Sequence, residues 1–348
     1  MRVLTSKFDM NNPTEPLGDR QGDILVAIVR EYIRTADPVG SKHLVGKYNL
    51  AVSAATVRNE MARLEELGYL AHPHTSAGRV PTDRGYRFFV DQQRPAKLGS
   101  HGRAEIESAI GAEPADMDEL MRRASDALSR ATNLAAAALT PRLRTSRLKH
   151  LDLAWLGPRR AVVIAIADGG RVEKRIVEME HDVSEAALES AGAELNHLLT
   201  GTTVDVAERA ARERAGADTT PAADAAVAGA VASALEAFLD EDQEVVVGGA
   251  STLAGAFGDQ DSFPRVFEVI ERRIDLQPLM SDAQPPASIR IGTEVPVENL
   301  QMCSLIFAPY AHGAAVGVIG PTRMEYPQVI AAVSMMARLL NNAVQDLS

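Results

Sequence analysis

Residues 38–91 read PVGSKHLVGKYNLAVSAATVRNEMARLEELGYLAHPHTSAGRVPTDRGYRFFVD, and the order of elements in this stretch decides the fold of the N-terminal part. Pro38 and Gly40 stop any helix arriving from upstream, and Ser41 is placed to cap a short helix, SKHLVGKY, which Asn49 closes in a turn. Ser53 is placed to cap a further helix that runs to Leu67 and ends at Gly68. Tyr69–Ala71 and Val80–Pro81 bracket a loop containing Pro, Ser and Gly, as two short strands do, and Thr82 starts another helix through Tyr86, Phe88 and Phe89. Upstream, behind Asp19 as a cap, Ile24, Leu25, Ile28, Val29, Tyr32 and Ile33 fall at helical spacing and make one apolar stripe. The expected order is helix, helix, helix, strand, loop, strand, helix.

The helix after Ser53 carries the chemistry. With Val57 at 0° and steps of about 100°, Met61 falls near 40° and Leu64 near −20°, so these three mark the core face. Ala55, Asn59 and Ala62 then lie opposite, at about 160°, 200° and 140°. Arg58 and Arg63 flank them. Alanines permit close approach to a DNA major groove, Asn pairs bidentately with adenine, and Arg with guanine O6 and N7. Any solvated helix face carries such residues, so context decides. The preceding turn and short helix make a helix-turn-helix of the right size, with the loop HPHTSAGR as a wing. The candidate DNA-binding residues are Ser53, Ala55, Thr56, Arg58, Asn59 and Arg63 on the recognition helix. Ser41 and Lys42 join them from the second helix, and His74, Thr75, Ser76 and Arg79 from the wing, where Arg79, Thr75 and Ser76 would meet phosphate or a minor groove.

The chain has 348 residues and a net charge of −11, with 46% hydrophobic, 24% charged and 4% aromatic content. These are globular values, and the length suggests two or three domains. The acidic total hides an asymmetry. Residues 20–91 hold ten basic and eight acidic side chains, so the acidity lies in the body after Asp91. One cysteine, Cys303, excludes an intrachain disulfide and any multi-cysteine metal site. No stretch approaches the roughly 18 apolar residues of a membrane span, and the N-terminus lacks the apolar core of a signal peptide. The chain is expected to be soluble and cytoplasmic, without contact to a membrane.

Beyond Asp91, residues 92–115 read as a linker punctuated by Gly and Pro, and Asp116–Leu139 as one long helix ended by Pro141. The period then changes to two. Leu151–Leu156, Ala161–Ala167 and Val172–Met179 are expected strands, Ser184–Leu239 a helical block, and Glu244–Gly248 a strand. A helix over Phe263–Leu276, strands at Ser288–Ile291, Met302–Ala308 and Ala314–Ile319, and a helix over Pro327–Val344 complete the reading. Strands on both sides of a helical block suggest one α+β domain split by an insertion.

The segments PVGSKHLVGKYNLAVSAATVRNEMARLEELGYL and HPHTSAGRVPTDRGYRFFVD, with CSLIF at 303–307 and GPTRMEY at 320–326, resemble the heat-inducible transcription repressor family that controls bacterial class I heat-shock operons. The resemblance implies an α+β chain: an N-terminal winged helix-turn-helix, a GAF-like domain, and a dimerising domain inserted into it. The boundaries become 1–18 for a flexible tail, 19–91 for the winged-helix DNA-binding domain, and 92–147 for the linker and long helix. The GAF-like domain takes 148–183 and 244–348, and the mainly helical dimerising insert takes 184–243. It further implies a homodimer on a double-stranded inverted-repeat operator, with the chaperonin as modulator. Where the family tends to carry Gly-x-Glu-Asn before the CSLI strand, this chain has Gly292-Thr293-Glu294-Val295.

Other sites carry less. His72 and His74 flank Pro73 like a metal pair, but two ligands without a third do not make a site. Cys303 sits in an alternating strand as a small hydrophobe. Arg323, in the turn GPTRM, either binds an anionic effector or pairs with a local carboxylate such as Glu325. Asp168-Gly169-Gly170 is a hairpin turn without a P-loop lysine, and no dinucleotide fingerprint or carboxylate pair stands out. No cofactor, metal or catalytic residue is expected, which favours a binding protein over an enzyme. Two alternatives stay open: a winged-helix regulator sensing a small molecule through the GAF-like domain, and an enzyme whose winged helix docks a partner.

Overall fold

The computed structural model describes residues 17–48, 52–73, 78–93, 96–111, 117–168, 171–240, 243–252, 263–273 and 275–346. The expected tail therefore lies outside the described residues except for Leu17 and Gly18, as do the Asn49 turn and the Gly169–Gly170 turn. The chain divides into two compact units, 1–93 and 94–348.

In the first unit, helices α1 (Asp19–Thr35), α2 (Ser41–Tyr48) and α3 (Ala54–Glu66) precede a two-stranded antiparallel hairpin, β1 (Leu70–Ala71) and β2 (Val80–Pro81), and helix α4 (Asp83–Asp91). Ser53 caps α3 by accepting from the Thr56 N–H at 3.1 Å, and Thr82 caps α4 by accepting from Gly85 at 3.2 Å. Two other caps move by one residue. Gly18, not Asp19, stands at the cap of α1, and Ser41 is the first residue of α2 rather than its cap. The buried faces of α1 (Ile24, Leu25, Ile28), α3 (Val57, Met61, Leu64) and α4 (Tyr86, Phe89, Val90) meet in one core, to which α2 contributes only Leu44. Val39 extends the hairpin, exchanging backbone hydrogen bonds with Arg79 at 2.9 and 3.0 Å. That crossing requires a glycine. A Cβ on Gly78 would stand 2.6 Å from the Pro38 carbonyl.

The second unit contains two separate sheets. The larger has the order β7-β3-β10-β9-β8, every neighbouring pair antiparallel, built from β3 (Ala135–Leu139), β7 (Val245–Gly248), β8 (Ser288–Ile291), β9 (Cys303–Tyr310) and β10 (Ala314–Pro321). Helices α5 (Ser100–Ile110), α6 (Met117–Thr132) and α12 (Tyr326–Asp346) pack together beside it. Residues of α10 (Phe263–Arg272) and α11 (Gln277–Ser281) share a core with Ala135, Ala137, Leu139, Leu305 and Phe307. The smaller sheet, β4-β5-β6 (Leu148–Gly157, Arg160–Ala167, Val172–Glu178), packs with α7 (Glu185–Leu199), α8 (Val204–Ala215) and α9 (Ala222–Asp240) around a core of its own.

Three expectations are corrected. The long helix stops at Thr132, because Asn133 adopts a left-handed φ of 56° and ends it, and Ala135–Leu139 becomes a wholly buried strand. The stretch read as a linker holds α5, anchored by fully buried Ile106. The strands at 148–178 do not pair with those after Glu244. β5 alternates a buried face (Ala161, Val163, Ala165, Ala167) against α7–α9, and the strand that joins the later ones is β3. The chain leaves and re-enters the large sheet at one point, where Thr140 N–H donates to Glu244 C=O at 2.9 Å and Glu244 N–H to Thr140 Oγ1 at 2.9 Å.

One helix, Ala222–Leu239, has the length and apolarity to cross a membrane, but half of it is buried against the core around β4–β6.

Candidate nucleic-acid interface

The site lies within the first unit and is built on α3. Val57, Met61 and Leu64 are buried, as the helical spacing requires, while Ser53, Ala55, Arg58, Asn59, Ala62 and Arg63 are exposed and Thr56 is half-buried. Ser53 and Thr56 are occupied locally: their side-chain oxygens share a hydrogen bond at 2.9 Å while Ser53 caps the helix.

The three carboxylates of α3 would repel a polyanion, and each is paired off. Glu60 accepts from Arg20 Nε at 3.1 Å and Gln21 Nε2 at 3.0 Å, both on α1. Glu65 accepts from Arg79 Nε at 2.7 Å, and Glu66 from Arg63 at 2.8 Å. Among the described residues, Arg58, Asn59 and Lys42 make no hydrogen bond or ion pair. The exposed face is thus left with uncommitted donors and matched acids.

A cleft of about 560 Å³ opens beside this face, lined by Gly40, Ser41, Lys42, Arg58, Met61, His72 and Arg79. It brings together Ser41 and Lys42 from α2, Arg58 from α3 and Arg79 from the hairpin base. Asn59 and Arg63 are not on its wall. Arg79 is drawn inward: its side chain is 19% exposed and its charge is met by Glu65. His74, Thr75 and Ser76 lie outside the described residues. His72 lines the cleft with its Nδ1 2.8 Å from the Pro73 carbonyl, a contact in which the ring nitrogen donates.

Sequence reasoning missed Glu31. Its side chain is 2% exposed and both oxygens are saturated: Oε1 accepts from Arg34 (2.7 Å) and His43 (2.8 Å), Oε2 from Lys47 (2.5 Å) and Tyr48 (3.0 Å). The Arg34 hydrogen bond, with those from Lys47, His43 and Tyr48, holds the carboxyl far below the usual carboxylate range against the opposing effect of burial. An ionised carboxylate only accepts, so His43 Nε2 carries a proton in this contact. The signal was present: Glu31 stands seven residues after Ile24 and three after Ile28, on the buried stripe of α1.

In the second unit, Cys303 is buried in β9 and burial pushes its thiol up to about 12, which removes it as a nucleophile at neutral pH. Arg323 is half-buried in the turn after β10 and is not an unpartnered cation. No group of three or more His, Cys, Asp or Glu residues suited to a metal occurs among the described residues.

Comparisons with known proteins agree along the whole chain. The family described as HrcA protein C terminal domain matches residues 118–330. The heat-inducible transcription repressor HrcA of Nocardioides sp. is 38% identical, covering 94% of this chain and 99% of that protein. Its namesake in Thermobifida fusca is 39% identical over 92% and 95%, and that in Nocardia farcinica 36% identical over 97% and 99%. A crystal structure described as a hypothetical protein shares the fold, with a TM-score of 0.61 at 22% identity, covering 96% of this chain and all of that one. These relatives are named as repressors of transcription, a non-enzymatic class, and the chain belongs to the HrcA family of heat-inducible transcription repressors.

Proposed function

We propose that this chain is a cytoplasmic, homodimeric repressor that binds an inverted-repeat operator before class I chaperone operons through a winged-helix domain at 19–91. The observation that carries this reading is the α3 face, where every carboxylate is paired while Arg58, Asn59 and Lys42 keep their donors uncommitted. Arg58 and Asn59 read base edges, Ala55 and Ala62 allow the close approach, and Ser53, Thr56, Arg63, Ser41 and Lys42 take the flanking backbone. His74, Thr75 and Ser76 belong to the wing in this reading. Arg79 serves by holding the wing's base to α3. The test is selection of duplexes from a random pool with the full chain. Recovery of an inverted repeat that binds at least about 10³-fold tighter than a scrambled duplex, the lower bound for specific recognition, supports it. Indifference to sequence refutes it.

The homodimer is supported by the outer face of β4-β5-β6. Val162, Ile164 and Ile166 run along its centre, with Val172 and Ile176 beside them 58% and 56% exposed. In register with Ile164 stand Asp152 on one side and Lys174 on the other; in register with Val162 stand Ala154 and Ile176. A twofold axis along β5 sets each Asp152 against the partner copy's lysine, and each small Ala154 against a large isoleucine. The face is self-complementary in charge and in size. One repressor module alone buries about 600–1,000 Å² on DNA, too little for operator-grade specificity, so two half-sites read by a dimer fit the task.

The GAF-like assignment rests on the large sheet with its helices. The second reading, a small-molecule sensor, gains nothing from Arg323, which is already engaged. In this reading the chaperonin acts as modulator through the folding of the repressor itself.

A further inference from the structure

α2 is held in place by little apolar surface: of its eight residues only Leu44 is buried. What fixes its roll and tilt is polar. His43, Lys47 and Tyr48 converge from α2 on the Glu31 carboxylate of α1, and Arg34 fills the remaining acceptor site. Lys42, one residue before His43, is exposed, makes no hydrogen bond or ion pair among the described residues, and lines the cleft beside Arg58. Rotating α2 by one residue's worth of helix turns Lys42 through about 100° and off that wall. The clamp and the cleft are therefore mechanically linked through one short helix.

We propose that Glu31 is a positioning residue for DNA binding: by clamping α2 to α1 it holds Lys42 at the cleft, in place for a phosphate of the DNA backbone. This rests on the DNA-binding reading above. It runs against simple charge reasoning, by which a carboxylate near a DNA-binding face opposes binding and its removal strengthens binding. In Glu31→Gln the new amide accepts through one oxygen only and sets its N–H₂ group against donors that now point at Glu31.

The test uses the full chain and a duplex recovered by the wild type from a random pool, titrated across a salt series, with thermal unfolding as the control for folding. Lys42→Ala lowers the slope of log K against log salt by about 0.9, one phosphate contact. Glu31→Gln lowers it by a similar amount despite removing a negative charge, and the double variant is no lower than either single one. A wild-type slope in Glu31→Gln, an unchanged slope in Lys42→Ala, or additive losses in the double variant each overturn the proposal. Misfolding alone reduces the active fraction and leaves the slope unchanged. Where Glu31→Gln does not fold, Tyr48→Phe replaces it, because it keeps every charge: a reduced slope supports the clamp and an unchanged one overturns it. A wild type that prefers no duplex over a scrambled one refutes the DNA reading itself, which separates the two failures.

Discussion

Arg58 and Arg79 carry the same charge on the same cleft, yet they stand in opposite states. Arg58 is uncommitted, whereas Arg79 is bound to Glu65 at 2.7 Å and fixed through its backbone to Val39. We expect Arg58→Ala and Asn59→Ala each to cost on the order of 1–3 kcal/mol on a selected duplex and little on a scrambled one, measured by competition binding. If Asn59→Ala leaves that preference intact, the facing of α3 is wrong. Arg79→Ala should leave the salt slope unchanged and instead lower the melting temperature, coupling to Glu65→Ala in a double-mutant cycle. A slope reduced by about 0.9 would return Arg79 to the phosphate backbone. Glu31 adds a pH dependence. Its folded pKa is depressed from an ordinary 4.5, so its stabilisation is complete above about pH 4.5 and is lost as pH falls toward the folded value. Thermal melts from about pH 6 to about pH 3 should show wild type losing stability below pH 4.5 and Glu31→Gln losing less, and parallel curves would disprove it.

At the scale of elements, legibility followed periodicity. α1, α3 and α4 show a 3.6-residue stripe and β5 a strict alternation, and each stands where its pattern predicts. β3 shows neither, because a strand buried on both faces has no polar side to mark its period. Its four alanines also favour helix, so the run read as the end of α6. The break lay in Asn133, one of the few residue types that take a left-handed φ at small cost. Asn133→Ala should therefore destabilise the chain by about 1–2 kcal/mol while Asn133→Gly is tolerated, as read by denaturant unfolding. Equal loss in both would show that Asn133 acts through its side chain. Glu31 was illegible for a different reason: a buried charge is recognised by its partners, and these come from a second helix. At the DNA-facing side, the exposed set on α3 could be read from its own core face, but the capture of Arg79 by Glu65 could not, since it joins residues 14 apart on different elements.

Across the whole molecule, the outer face of β4-β5-β6 makes a charge-swap test possible. Asp152→Lys should shift the chain toward monomer in light scattering, and Asp152→Lys with Lys174→Asp should restore the dimer. Failure of the double variant to recover would remove the proposed twofold. Folding is a second property of the whole chain. β3 pairs with β7 from Leu139↔Val245 to Ala136↔Gly248, across the entire segment that forms the smaller sheet and its helices. Pairing at such separation is slow and leaves apolar strands exposed meanwhile. We expect protein diluted from denaturant to regain DNA binding poorly alone and well with chaperonin and ATP, so that a chaperonin occupied by heat-damaged clients leaves less active repressor. Full spontaneous recovery would remove this route.

The two hydrogen bonds between Thr140 and Glu244 carry one more consequence. They make the excursion topologically equivalent to the tip of a β-hairpin, because its two ends are already at the spacing that a tight turn bridges. Excising residues 141–243 and joining Thr140 to Glu244 by a short Asn-Gly turn would turn the most distant strand pairing in the unit into a local one. The shortened chain would then collapse without assistance but carry no face on which to associate. In the intact protein the device that makes it a pair is thus also the delay that makes its assembly sensitive to demand.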